Sequence, residues 1–174
     1  MATKKPQPYP WKPWKVPAEL MHLENGRLPA DLLRDIRGGG QLWTKAAKDW
    51  NAMCRAMKQD GIQIENVSRG YRPYNVQLAM WVKRWQRRPS PRKPQITKVF
   101  NQEMWYLRAG QSPSAVPGTS PHGWGCAQDI NHHNKKLFRW MCDNAPKYNY
   151  WLQADKDSKY REDWHWHWLA PDVE

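Results

Sequence analysis

Residues 162–168 read Glu-Asp-Trp-His-Trp-His-Trp, and few folds can accommodate that order. In an extended chain successive side chains point to opposite faces, so Trp164, Trp166 and Trp168 share one face while His165, His167 and Leu169 share the other. A strand of this kind needs an apolar layer on one side and a use for two imidazoles on the other. The indole face reads as a core-forming stripe more readily than as a sugar-stacking platform, because buried Trp supplies large contact areas. Tryptophan is abundant elsewhere too, 13 of 174 residues, so few side chains can fill the core of one domain.

Other segments supply the layers. From Leu42 to Met57 the apolar positions fall three and four apart, with Lys45, Lys48, Asp49 and Lys58 on the opposite side, which predicts an amphipathic helix stopped at Gly61. A short helix capped by Asp31 is expected before it, running through Arg37 and ended by Gly38-Gly39-Gly40. Ile62, Ile64 and Val67 read as a strand. A helix is expected after Pro73 through Trp81 and Trp85, and another over residues 97–108. Residues 111–125 are loop, 126–130 a buried strand, 135–144 a helix, and 150–153 a strand preceding the Trp/His strand. Helices mixed with short, non-contiguous strands predict an α+β domain. The first seventeen residues hold Pro6, Pro8, Pro10, Pro13 and Pro17 among Tyr9, Trp11 and Trp14, a composition that favours an extended arm.

Composition removes several classes. No apolar run approaches a membrane span, and the N-terminus lacks the apolar centre of a signal peptide. The expectation is a protein made in the cytoplasm, with no membrane partner. Cys54, Cys126 and Cys142 are odd in number and unpaired in spacing, which argues for free thiols. Lys and Arg outnumber Asp and Glu by 28 to 16, a net charge of +12, so the partner is anionic: nucleic acid, a teichoic-acid-like wall polymer or a carboxylate-rich peptide.

Three clusters carry chemistry. The loop Thr119-Ser120-Pro121-His122-Gly123-Trp124-Gly125-Cys126-Ala127-Gln128-Asp129 supplies His122 and Asp129, the terminal strand supplies His165 with Glu162 three residues before it, and Gly70-Tyr71-Arg72 supplies a cation. A catalytic zinc site needs three N or O ligands, one open position, and a carboxylate that takes a proton from water. His122, Asp129 and His165 fit the ligands and Glu162 fits the base.

These residues resemble the zinc D-Ala-D-Ala carboxypeptidases and L-alanyl-D-glutamate endopeptidases of bacteria and phages, related to the Hedgehog signalling domain. The SxHxxGxAxD motif is matched at Ser120, His122, Gly125, Ala127 and Asp129, and the ExWH motif at Glu162, Trp164 and His165. Five fixed positions would match by chance about once in a million starts. The upstream SGYRS element is matched at Gly70, Tyr71 and Arg72, with Arg69 where Ser is usual and Pro73 following. The resemblance spans about residues 65–168.

The resemblance implies an α+β fold: a small central antiparallel sheet carrying the zinc site, flanked by helices, with the Pro/Trp-rich arm outside it. The expected division is residues 1–24 as arm and 25–174 as zinc peptidase domain. It implies Zn²⁺ on His122, Asp129 and His165, Glu162 as base and Arg72 as oxyanion or carboxylate anchor. Ser120, Tyr71 and Gln77 would contact substrate, and His167 is an alternative or extra ligand. The implied substrate is a peptidoglycan stem peptide, cut next to a D-residue. A phage enzyme is expected, either a released endolysin or a virion tail component whose residues 1–17 dock on a tail protein. The rivals are an L-alanyl-D-glutamate type endopeptidase and a non-catalytic tail or wall-binding protein. A nuclease would leave both motifs unexplained, so no nucleic acid partner is expected.

Overall fold

The computed structural model describes residues 9–153 and 161–171; the first eight residues of the arm lie outside them. The apolar spacing after position 42 produces a helix, α1, Thr44–Gln59, which buries Ala46, Ala47, Trp50, Met53, Cys54 and Met57. Its lysines at 45, 48 and 58 are exposed. Leu42 and Trp43 continue the same spacing but belong to a strand, β2, Gln41–Trp43. It pairs antiparallel with β1, Leu33–Asp35. The expected helix from Asp31 to Arg37 is therefore absent, leaving only a 3-10 turn at Ala30–Leu32. The glycines explain the difference: Gly38, Gly39 and Gly40 have φ of 87°, 90° and 94°, and the left-handed run reverses the chain into a hairpin instead of capping a helix.

Helix α2, Tyr74–Arg84, follows Pro73 as expected and ends just before Trp85. Residues 97–108 overturn the expected helix. They form β4, Thr97–Phe100, and β5, Glu103–Leu107, an antiparallel hairpin. Asn101 and Gln102, at φ 51° and 63°, supply the two left-handed residues of a tight hairpin turn. The short β3, Trp85–Gln86, completes a sheet in the order β3-β5-β4. This lobe has its own core of Trp81, Trp85, Trp105 and Leu107, with the first two indoles stacked at 4.7 Å between centroids.

The expected strand through Ile62 and Val67 is only an extended segment with one bridge, Asn66 to Ile130. Val67 is 62% exposed, so this stretch has no continuous apolar face to bury in a ladder.

The remaining elements are those expected. Strands β6, Ala127–Asp129, β7, Tyr150–Gln153, and β8, Glu162–Trp168, form an antiparallel sheet in the order β6-β8-β7. Helix α3, Lys135–Asn144, starts at Asn134, whose side chain accepts a hydrogen bond from the Leu137 amide. The indole stripe is core: Trp166 and Trp168 are buried, and Trp168 meets Trp43 edge-on at 5.4 Å. Beside it, Trp50 of α1 packs edge-on against Tyr150, whose hydroxyl donates to the Ala46 carbonyl. Trp164 is the exception, 39% exposed.

The described part of the arm is extended and lies on this sheet. Trp11 bridges Leu152 in parallel, the Leu152 amide donates to the Pro10 carbonyl at 2.8 Å, and Trp14 packs against the main core. All three cysteines are free. Among the described residues no helix is long and apolar enough to cross a membrane.

Candidate metal centre

His122 lies in a 3-10 turn, Pro121–Trp124, that leads into β6. The Ser120 hydroxyl caps this turn by accepting from the His122 amide. Gly125 closes it at φ 62°, where a Cβ would meet the Trp43 amide nitrogen at 2.6 Å; the turn can press against β2 only because no side chain is there. Asp129 ends β6 and pairs directly with His165 on β8. The three side chains of the two motifs thereby converge.

His122 Nε2 lies 3.2 Å and His165 Nδ1 3.1 Å from the same Asp129 oxygen, Oδ1. All three ligand atoms fall within 4.8 Å of one another, and among the described residues they form the one group of its kind. Ligands bound at about 2.0–2.2 Å in tetrahedral geometry sit roughly 3.3–3.5 Å apart, so the spacing suits a divalent ion with little rearrangement. The His122 Nδ1 donates to the Gly70 carbonyl at 2.8 Å, which leaves the lone pair on Nε2, toward Asp129. Gly70 has φ 70°, and a Cβ there would meet the Gln41 carbonyl oxygen at 2.5 Å. The glycine is thus needed to deliver that carbonyl.

The electrostatics favour deprotonated ligands. Burial alone would raise the Asp129 carboxyl, but hydrogen bonds and charge from His122 and His165 hold it well below the usual carboxylate range. Burial pushes His122 down, against the pull of Asp129. Both shifts keep the Asp129 oxygen and the His122 Nε2 lone pair available at neutral pH.

His167 stands apart from this group. Its Nε2 donates to the Lys12 carbonyl of the arm at 2.8 Å, and its ring centre is 6.2 Å from that of His165. Burial, with the neighbouring His165, pushes its pKa down to about 3. It is a neutral imidazole facing the arm.

Glu162 lies at an irregularity of the β7–β8 ladder. Regular alternation would put it on the indole face, opposite His165. The β7–β8 register shifts between Leu152, paired with Trp166, and Gln153, paired with Glu162. Such an irregularity re-aims a strand; burial lowers the pKa of Lys98 on β4, and the Glu162 charge partly offsets that shift.

Arg72 is held by its surroundings: its amide donates to the His122 carbonyl, and Nη1 donates to Gln77 Oε1 at 2.9 Å. Burial lowers its pKa and Asp129 pulls it back, so the guanidinium is partly desolvated and still charged. The three expected substrate contacts are engaged internally. Gln77, buried on α2, donates to the Ala115 carbonyl, which fixes its oxygen toward Arg72. Ser120 is buried and serves as the cap, and the Tyr71 hydroxyl accepts from the Leu28 amide.

Sequence reasoning missed Ser68, Gln128 and Asn25. The Ser68 hydroxyl accepts from the Asp129 amide, the Gln128 side chain donates to the Ser68 carbonyl, and Asn25 donates to the Ser120 carbonyl. Ser68 had a signal, a serine two residues before Gly70 in place of one; Asn25 had none.

The family model of VanY, D-alanyl-D-alanine carboxypeptidase, matches residues 40–171. No curated protein sequence matches the chain significantly. Among solved structures, the fold is similar to that of the vancomycin resistance D,D-pentapeptidase VanY from a VanB-type cassette in complex with Zn(II). That chain is 19% identical with a TM-score of 0.53, covering 82% of this chain and 83% of that one. The LdcB LD-carboxypeptidase gives 22% identity and a TM-score of 0.54, with 82% and 70% covered. VanYB in complex with D-alanine-D-alanine gives 19% and 0.54, with 82% and 81% covered. These likenesses establish the fold.

Proposed function

The chain belongs to the VanY family of D-alanyl-D-alanine carboxypeptidases, and from that premise we propose that it is a zinc-dependent peptidase of peptidoglycan stem peptides, cutting beside a D-residue. The observation that carries the proposal is the buried triplet His122, Asp129 and His165, with His122 locked by Gly70 into the tautomer a metal requires. Bound there, zinc would supply a Lewis acid that polarises the scissile carbonyl and acidifies a water. Glu162 would take the proton of the attacking water and pass it to the leaving amine. Arg72 would hold developing negative charge or the substrate carboxylate, with Gln77 keeping its guanidinium in place. Ser120 and Tyr71 would serve by holding the ligand turn and the Arg72 segment.

Carboxypeptidase action is favoured over the L-alanyl-D-glutamate endopeptidase reading by the lobe. The β4–β5 hairpin brings Lys98 within the field of Glu162, and the Lys98 ammonium donates to the Ser114 carbonyl at 2.8 Å. The hairpin is thereby tied to the 111–119 segment, and we infer that the two bound one end of the substrate site. We extend the proposal to a phage role, as released endolysin or as a tail component docking through residues 1–17; the protein should then appear in purified virions or in lysates.

Mass spectrometry of peptidoglycan fragments digested with and without chelator tests the whole reading. Loss of a terminal D-alanine, abolished by chelator and restored by zinc, is expected. Chelator-insensitive cleavage would overturn the zinc mechanism, and internal cleavage the carboxypeptidase assignment.

A further inference from the structure

The positive charge of the chain is concentrated on the lobe. Residues 81–119 hold eight of the 28 Lys and Arg but one of the 16 acidic residues, net +7 of the chain's +12. Arg87, Arg88 and Lys93 are exposed on the loop between β3 and β4, and Glu103, the lone acid, is paired with Arg87 at 2.8 Å.

A solvated charge run needs no fixed backbone, and this loop has one. The Gln86 side chain donates to the Arg88 and Pro89 carbonyls. The Gln95 side chain donates to the Ser90 and Arg92 carbonyls and accepts from the Ser90 amide. Ser90 is 4% exposed, and its hydroxyl accepts from the Arg92 amide. Prolines at 89, 91 and 94 stiffen the rest. Cations on a backbone held this way lose little freedom when an anion binds. The Arg92 guanidinium donates to the Gln111 carbonyl at 3.3 Å, so the loop abuts the segment whose Ala115 carbonyl orients Gln77.

We propose that residues 87–93 are a docking surface for a phosphodiester-linked polyanion of the cell wall, which holds the peptide cleft against its substrate. The identification of the wall rests on the proposed function above; the polyanion rests on the loop itself. Residues 87–95 contain no aromatic side chain, and stacking surfaces are what single-stranded nucleic acid would require. A repeating phosphate needs only spaced cations.

The test is co-sedimentation of the full chain with purified cell walls, native or chemically stripped of phosphodiester polymers, alongside turnover of a soluble D-Ala-D-Ala-ended peptide by the zinc-loaded protein. The double variant Arg88→Glu/Lys93→Glu should pellet with native walls about tenfold less and turn over the soluble peptide normally, which also reports that it is folded. Wild type should lose binding to a similar degree on stripped walls and in raised salt. Equal binding by variant and wild type, equal binding to native and stripped walls, or tighter binding to DNA than to walls at the same salt would each overturn the proposal. Failure of the peptide assay in wild type would instead count against the peptidase reading.

Discussion

The two three-stranded sheets have the same order, with the last strand of each in the middle, yet they are used differently. In the lobe, Trp105 and Leu107 of β5 are buried while the neighbouring Met104 and its partner Val99 are 52% and 61% exposed. One face has a core and the other meets solvent. In the central sheet β8 is covered on both sides: Trp166 and Trp168 on one, His165 and His167, at 5% and 1% exposure, on the other. Burying imidazoles is costly unless something uses their nitrogens. Here Asp129 and the arm use one nitrogen of each ring, His165 Nδ1 and His167 Nε2, while His165 Nε2 and His167 Nδ1 are buried without a partner among the described residues. A strand fixed on both faces can hold ligands to a fraction of an ångström, whereas a half-covered sheet serves as a wall.

The sharpest way to break this contrast is to remove a ligand. His122→Ala should lower turnover of a D-Ala-D-Ala peptide by roughly 10⁴-fold or more and strip the metal, as read by elemental analysis. Glu162→Gln should lower turnover by about 10²–10⁴-fold with the metal retained, which separates base from ligand; unchanged turnover would show that Glu162 is not the base. Trp105→Ala, in the lobe, should cost about 3–5 kcal/mol of stability in thermal or denaturant unfolding and leave metal affinity unchanged. Loss of metal in that variant would mean that the two sheets are one cooperative unit.

The legibility of the two sheets differed for the same reason. In the central sheet the chemistry is written in local motifs, and the strict alternation of Trp and His states which face is which, so β6, β8, α3 and the convergence of His122, Asp129 and His165 are legible there. In the lobe a helical period also fits residues 97–108, because Val99, Phe100, Met104 and Leu107 can satisfy either period. Asn101-Gln102 lacks the glycine that usually announces a hairpin. Gly38-Gly39-Gly40 was readable as a stop but not as a reversal, because only pairing of Leu33 with Trp43 decides between them. The register shift before Trp166 and the holding roles of Gln77 and Tyr71 depend on partners distant in sequence, such as Ala115 and Leu28. Local pattern carries no information about those.

The smallest effect tests the frame of the central sheet away from the ligands. Glu65 accepts hydrogen bonds from the Asn131 and Asn134 side chains, at 2.7 and 2.6 Å, and so ties the extended segment before Val67 to the turn between β6 and α3. Those bonds, that of Asn131 first, lower the Glu65 pKa below its ordinary value of 4.5. A carboxyl with a depressed folded pKa takes up protons more readily unfolded, so its stabilisation is complete above pH 4.5 and fades as pH falls through the lower, folded value. Glu65→Gln keeps the shape and removes the titration. Unfolding curves measured between pH 7 and pH 3 should therefore show a small loss for the variant at neutral pH, and the gap to wild type should narrow only below pH 4.5. A gap that is constant with pH would assign Glu65 a packing role instead, and would place the rigidity of the ligand sheet in β8 and the arm alone.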